Sequence, residues 1–494
     1  MKNTNSVRLA AALICILGIL PSCGAQAAPE TPQKQDTTPV TEETTAPVEE
    51  KLSYPSALSD HGGETFTFLN CVDGLWAGSF HVIDYEEASG DAVESAIYRR
   101  ARQAEEDLNL HIAVEKDEIG NLYGRVKKTV TSGDNAFAAA YMPLQFGSAT
   151  LAGEYALNLY DLGTLRLSEP WWNQSYVEQT TLGDDILFAS IDYINMMGYT
   201  YTNVMYFNKK MCENYDLDYP YQAVRDGKWT YDAMREYMAA AVNLNGDSAF
   251  SEKNPNCVFG YAVQHEEGTM TLLDGCGSFV MKKNKDGIPV INDDLTQLSA
   301  AYEKLLSILE RDGFCMMGNG SLQENTGSIS LFANSRAMFH QAALGVSAAD
   351  FRNIDVEYGI LPMPKADESQ EKYYSMVSQY TLALSVPKTA TEPAKTGEVL
   401  DYMAFLGYRD VIPEVQTALC FKGLRDEDSI DMFNIVLDTE SVDIGFLFGW
   451  TSNLVKTLSQ NVYKGKNDFA SQMEKNASKI EKAVEKTLTA MELG

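Results

Sequence analysis

The sequence predicts an α/β protein built as two lobes. A strand, a helix and a second strand follow one another within about fifty residues from Glu64, and about 440 residues lie beyond a low-complexity leader, too many for one compact core. Glu64-Thr-Phe-Thr-Phe-Leu-Asn70 alternates polar and apolar residues and reads as the first strand. Val93, Ile97, Ala101, Ala104 and Leu108 then recur at spacings of four, four, three and four, which is one apolar face of a helix. His111-Ile-Ala-Val114 reads as the second strand. Such a unit closes with parallel strands and a right-handed crossover. Open sheets of this kind place ligands beyond the carboxyl ends of their strands. The loop from Cys71 to Gly90 leaves that end and carries Asp73, Trp76, His81, Asp84 and Tyr85. Trp76 stands between Gly74 and Gly78, outside any period that would bury it, and is a candidate ligand platform. Packing within the loop is the plainer alternative.

Ahead of this unit, Lys2 and Arg8 precede an apolar run from Leu9 to Leu20. The run has the length of a secretory leader and falls short of the roughly 20 residues a membrane-spanning helix needs. Leu20-Pro21-Ser22-Cys23 resembles the lipobox of bacterial lipoproteins. That resemblance implies removal of residues 1–22 and lipidation of Cys23. It also implies a place outside the cytoplasm, held by lipid alone to the outer face of the cell membrane. Ordinary cleavage at Ala25-Gln26-Ala27 is the alternative. Residues 24–52 are rich in Pro, Thr and Glu, cannot bury enough apolar surface to offset chain entropy, and read as a tether. The tether domain spans residues 23–60 with the lipidated cysteine, and residues 24–52 alone would reach up to roughly 90 Å if extended.

Further along, Thr230 is a plausible helix N-cap, and Trp229 with Met234 forms a hydrophobic staple, so Trp229 is structural. Lys285-Asp286-Gly287 separates two short strands as a hairpin turn. Met473, Ala477, Ile480, Val484 and Leu488 mark an amphipathic helix over Ala470–Met491. A net charge of −30 argues against nucleic acid and anionic lipid as partners. Beyond Cys15 and Cys23, the cysteines 71, 212, 257, 276, 315 and 420 show no CxxC pair, and buried free thiols are the expectation. The histidines are scattered without zinc spacing. Asp216-x-Asp218 begins like a calcium loop that Pro220 breaks. No nucleotide, serine-elbow or metal signature appears, so no cofactor and no catalytic residue is expected. Carboxylates are plentiful, and a glycosidase-type acid/base pair stays open.

Several segments, taken in order, resemble the bacterial extracellular solute-binding proteins of ABC importers, in particular the family of maltodextrin-binding protein. Thr131-Ser-Gly-Asp134 followed by Ala140-Tyr-Met-Pro143 looks like the family's helix end and next strand. Leu157-Asn-Leu-Tyr-Asp-Leu162 looks like its first-lobe segment leading to the crossing, with Pro170-Trp-Trp172 after it. Tyr206-Phe-Asn-Lys209 is similar to its Y-N-K signature. Lys228-Trp-Thr-Tyr-Asp232 is similar to its T-W-x-E helix start with Trp and Thr transposed. Ser335-Arg-Ala-Met338, Tyr358-Gly-Ile-Leu-Pro-Met-Pro-Lys365 and Leu382-Ala-Leu-Ser-Val-Pro-Lys388 complete the order.

The resemblance implies a two-lobed periplasmic-binding-protein-like fold whose interlobe cleft closes by hinge bending on one small-molecule solute. Crossings are expected near Ile191–Tyr199, Val377–Thr381 and Phe421–Asp428. One lobe would comprise 61–190 and 377–424, and the other 191–376 and 425–494. It further implies ABC permease subunits as partners and no catalysis. A carbohydrate is the favoured solute, because aromatic faces with amide and carboxylate partners suit a sugar's C–H face and hydroxyl rim. Candidate contacts are Trp76, Asp192, Tyr193 and Asn195 at the first crossing, Gln264 after Tyr261, and Trp450 behind Phe446 and Phe448. Phe339-His340-Gln341 departs from the family's aromatic platform. Rival readings are a carbohydrate-active enzyme and a receptor that presents its ligand to a membrane sensor.

Overall fold

The computed structural model describes residues 52–72, 80–144, 154–309, 312–318, 320–424, 426–491 and 493. Its strands, in chain order, are β1 (Glu64–Cys71), β2 (Leu110–Asp117), β3 (Ala139–Pro143), β4 (Asn203–Asn208), β5 (Phe259–Val263), β6 (Met281–Lys283), β7 (Pro289–Ile291), β8 (Cys315–Met317), β9 (Ala337–Ala343), β10 (Tyr358–Leu361), β11 (Ser375–Met376), β12 (Leu382–Ser385) and β13 (Glu440–Ser441). Two sheets organise the body. A four-stranded sheet runs in the order β12-β3-β1-β2, and a five-stranded sheet in the order β10-β4-β9-β5-β8.

The first sheet grows from the strand–helix–strand unit legible in the sequence. β1 and β2 pair in parallel from Glu64 opposite Leu110 to Cys71 opposite Asp117. The connecting helix, Ala92–Leu108, starts at Asp91, whose carboxylate accepts from the Val93 and Glu94 amides, and ends at Asn109 in the left-handed region. Val93, Ile97, Ala101, Ala104 and Leu108, the residues of the predicted face, are all buried. β3 joins β1 in parallel, and β12 returns antiparallel to β3 with Leu382 opposite Pro143.

In the second sheet β5 is parallel to both β9 and β8, while β4 runs antiparallel to β9 and β10. The helix Tyr231–Ala241 begins at Thr230, which caps Ala233 N, with Trp229 and Met234 both buried as the staple requires. The hairpin forms as read, β6 pairing β7 with Gly287 at φ +73. The helix Phe469–Ala490 closes the body and buries Ile480 and Val484.

Val377–Thr381 carries the chain from β11, which pairs in parallel with β13, to β12 at the edge of the four-stranded sheet. Ser378 N bonds Tyr201 O at 2.9 Å, and Leu144 N at the end of β3 bonds Thr381 O at 2.9 Å. The six cysteines among the described residues are buried. A buried carboxylate, Asp401 in the helix Pro393–Leu406, gathers donors from far along the chain: the Trp171 and Trp172 indoles at 2.9 and 3.1 Å, the Tyr54 hydroxyl at 2.9 Å, and Arg166 through its amide at 2.9 Å and its guanidinium at 2.6 Å.

Candidate solute cavity

A cavity of about 340 Å³ opens at the edge where β5 and β9 end and β4 begins. That is the carboxyl edge of the parallel pair, where open sheets collect ligands. Its volume lies within the roughly 300–1,000 Å³ typical of small-molecule sites. Tyr201, Asn203, Gln264, Glu267, His340, Gln341, Asp350, Ser378 and Tyr380 supply its polar and aromatic wall, and Ile329, Ala342, Ala343 and Val346 its apolar wall. A hollow of about 130 Å³ beside Glu64, Thr65 and Lys395 lies at the opposite, amino end of β1.

Backbone geometry explains how these groups converge. β5 ends at Val263, and the helix His265–Asp274 begins one residue later, so Gln264 is delivered to the rim. Gly268 permits this tight turn from strand to helix, because a Cβ there would come within 1.7 Å of Val263 Cγ2. β9 carries His340 and Gln341 past the same edge, and the crossing segment contributes Ser378 and Tyr380.

The polar side chains form one connected chain. Gln341 Nε2 donates to Asn203 Oδ1, and Asn203 Nδ2 donates to Met376 O at 3.2 Å and to Glu267 Oε1 at 3.5 Å. Ser378 Oγ donates to the same Glu267 oxygen at 2.7 Å. Burial pushes the Glu267 carboxyl above the ordinary range, and the Ser378 and Asn203 bonds pull it partly back. His340 Nδ1 lies 2.8 Å from Ala262 O, which can only accept, so that nitrogen holds the proton. Burial lowers the His340 pKa to about 4, keeping the ring neutral at pH 7. Among the described lining residues none is Lys or Arg. The wall therefore offers amide, hydroxyl and carboxylate groups to a ligand that donates hydrogen bonds, and nothing that would neutralise an anion.

Of the residues singled out in the sequence, Gln264 lines this cavity. Trp76 and Cys23 lie outside the described residues. Asp192 is 2% exposed, and its oxygens accept from the Tyr141 hydroxyl at 2.9 Å and from the Ile194 and Asn195 amides at 2.6 and 3.1 Å. Burial lifts its pKa to about 6. The buried Arg100 braces the same turn by donating to Ile194 O. Asn195 is buried and caps Met197 N at 2.9 Å. Tyr193 stacks on Tyr408 at 5.9 Å and meets Tyr199 edge-on. Trp450, 7% exposed, stacks on Phe448 at 4.7 Å and donates to Thr487 Oγ1 at 3.0 Å, fastening the helix Phe469–Ala490. None of these four borders the cavity. The sequence reading does not single out Asn203 or Glu267, and it reaches Ser378 only as part of the stretch Val377–Thr381.

No family model matches the chain, and no curated protein matches its sequence. Solved structures do resemble it. The galacto-N-biose/lacto-N-biose I-binding protein of an ABC transporter from Bifidobacterium longum, in complex with lacto-N-biose, aligns with TM-score 0.55 at 12% identity, over 86% of this chain and 98% of that one. The GacH receptor of Streptomyces glaucescens, determined unliganded and with acarbose, gives TM-score 0.53 at 12% identity over 86% and 99%. An ABC transporter solute-binding protein from Agrobacterium radiobacter in complex with ribitol gives 0.52 at 12% over 85% and 99%. Likeness at this identity is likeness of fold: the chain has the two-lobed α/β architecture of ABC-transporter solute-binding proteins.

Proposed function

We propose that this protein is the solute-binding subunit of an ABC importer and captures a hydroxylated solute without negative charge, a carbohydrate, in the cavity at the ends of β5 and β9. The observation that carries the reading is the makeup of the cavity wall: Gln264, Gln341, Asn203, Glu267 and Ser378 beside Tyr201 and Tyr380, with no described basic side chain. Sugars present hydroxyl donors on a rim and an apolar C–H face, which such a wall complements. The solved structures of the same fold, bound to lacto-N-biose, acarbose and ribitol, support the choice of class. In this reading residues 61–190 with 377–424 and residues 191–376 with 425–494 are the two bodies that swing together. Trp76 supplies a contact from the first of them.

The chain acts outside the cytoplasm, anchored through lipid on Cys23, and hands its solute to permease subunits. Among the described residues no helix is long and apolar enough to cross a membrane, which suits an anchor of lipid. Cys23→Ala is expected to move the protein from the membrane to the soluble fraction; unchanged fractionation would remove the lipid anchor from the reading.

The binding test is a thermal-unfolding screen against neutral sugars, polyols, amino acids and sugar acids, since a ligand bound by the folded state raises stability by mass action. A response confined to hydroxylated compounds without negative charge, lost in Gln264→Ala, is expected; a preference for anions would refute the proposal. One observation favours a second reading, because two carboxylates, Glu267 and Asp350, line the same cavity. A hydrolase would use the raised Glu267 carboxyl as acid and Asp350 as base. Oligosaccharide recovered unchanged after long incubation is the outcome expected of a binding protein.

A further inference from the structure

A smaller cavity, of about 20 Å³, lies further along the helix His265–Asp274. Glu267, Met270 and Asp274 stand at i, i+3 and i+7 and share one face of that helix, so the two cavities are separated by about 10 Å along its axis. The smaller one receives Asp274, Asp443 and Gln379, with Met270, Val377 and Phe446 as apolar neighbours. Asp274 is 4% exposed, and its Oδ2 has no hydrogen-bond partner among the described residues. Gln379, from the segment between β11 and β12, is 8% exposed, and its Oε1 has none among them either. Asp443 spends Oδ1 on the Gly445 and Phe446 amides at 2.8 and 3.1 Å.

The cavity therefore gathers oxygens from three separate elements, and none of its described lining residues is positively charged. Burial pushes both carboxyls up, and the charge on Asp443 pushes Asp274 further. Two buried carboxyls in one site either hold a proton or give it up to gain a positive group that joins them. A calcium ion asks for six to eight oxygens, more than these side chains supply. No group of three His, Cys, Asp or Glu among the described residues is placed to hold a metal. A primary ammonium head brings one positive charge and three N–H donors, is close to water in size, and trails a methylene stem that Met270 and Phe446 can cover. We propose that this cavity is a subsite for a primary ammonium group, so that the natural solute carries an amine about 10 Å from its hydroxylated part. The link to a hydroxylated part rests on the reading of the larger cavity; the ammonium subsite itself does not.

The test has two arms, both on the purified full chain. In the first, methylammonium chloride, sodium chloride and calcium chloride are compared at equal ionic strength by thermal unfolding of wild type, Asp274→Asn and Asp443→Asn. In the second, an amino sugar whose amine stands at the end of an alkyl chain long enough to reach the second cavity is compared with its N-acetylated form by calorimetry. Asparagine caps helices as well as aspartate does, so Asp443→Asn keeps the fold if Asp274→Asn does not. Methylammonium is expected to stabilise the wild type beyond either metal salt. The amino sugar is expected to bind tenfold or more tightly than its N-acetylated form, and each variant to lose both differences. Stabilisation by methylammonium with no sugar bound would leave the subsite standing and remove the carbohydrate reading. Equal binding of the two sugars, no methylammonium response, or equal stabilisation by sodium or calcium would overturn the subsite.

Discussion

Gly268→Ala probes how the cavity is assembled. An added Cβ would sit 1.7 Å from Val263 Cγ2, 2.9 Å from its Cβ and 3.1 Å from its Cγ1. Unbonded carbons rest at about 3.5–4.0 Å, so the strand end and the first helical turn must part by about 2 Å. Val263 is fully buried and, being β-branched, has little rotamer freedom with which to yield. Overpacking of this kind costs about 1–3 kcal/mol, and a contact this short belongs at the upper end. Helix propensity returns about 1 kcal/mol on replacing Gly by Ala. The net loss is then about 2 kcal/mol, read as a lower urea midpoint at unchanged slope. Because Gln264 and Glu267 ride on the displaced turn, affinity for whichever sugar stabilises the wild type should fall about tenfold, or about 1.4 kcal/mol. Val263→Ala in the same chain removes both γ-carbons and should recover most of the stability, a coupling of about 1 kcal/mol or more. A Gly268→Ala protein that is more stable than wild type and binds unchanged would refute this account of the turn.

Three further outcomes follow from the packing. Glu440 is buried, accepts from Asn173 Nδ2 at 2.8 Å and from the Thr202 hydroxyl, and burial raises its pKa from 4.5 to about 7. The folded state therefore keeps a proton that the unfolded state gives up. The stability Glu440 contributes is complete below about pH 4.5 and is lost as pH rises towards 7. Glu440→Gln should gain on wild type across that window, measured by urea unfolding at stepped pH. Trp450→Ala should cost about 3–5 kcal/mol through the cavity it leaves against the C-terminal helix, with sugar affinity unchanged in calorimetry. Asp401→Ala strands the buried indole N–H groups of Trp171 and Trp172 and should cost about 3–5 kcal/mol. Asp401→Asn, keeping one carbonyl oxygen, should cost markedly less in the same thermal-unfolding assay.

How far the sequence could be read depended on the range of the interactions involved. The helix Ala92–Leu108 was legible because its buried face is a local periodicity, and the hairpin around Gly287 because turn chemistry is local too. Gln264, singled out as a polar group just after Tyr261, lines the cavity because β5 ends at Val263. Asn203, Glu267 and Ser378 are unremarkable in their own neighbourhoods; they become a site through bonds that join positions 203, 267 and 378. The same distance hides the partners of the other candidates: the Tyr141 hydroxyl, 51 residues before Asp192, lies 2.9 Å from both its oxygens, and Thr487, 37 residues after Trp450, accepts its N–H.

The Asp401 cluster has a mechanical consequence. The described chain enters the body at residue 52, and within ten residues it is fastened repeatedly: Tyr54 to Asp401 and Arg166, Ser56 to Arg166, Ser59 to Glu398, and His61 to Glu398 at 3.1 Å. Glu398 and Asp401 belong to one helix, Pro393–Leu406, which packs against the helix Ala92–Leu108 beneath the four-stranded sheet. Load arriving at residue 52 passes first into that helix and Arg166. Under the proposed anchoring on Cys23, the solute cavity at the ends of β5 and β9 would be spared it.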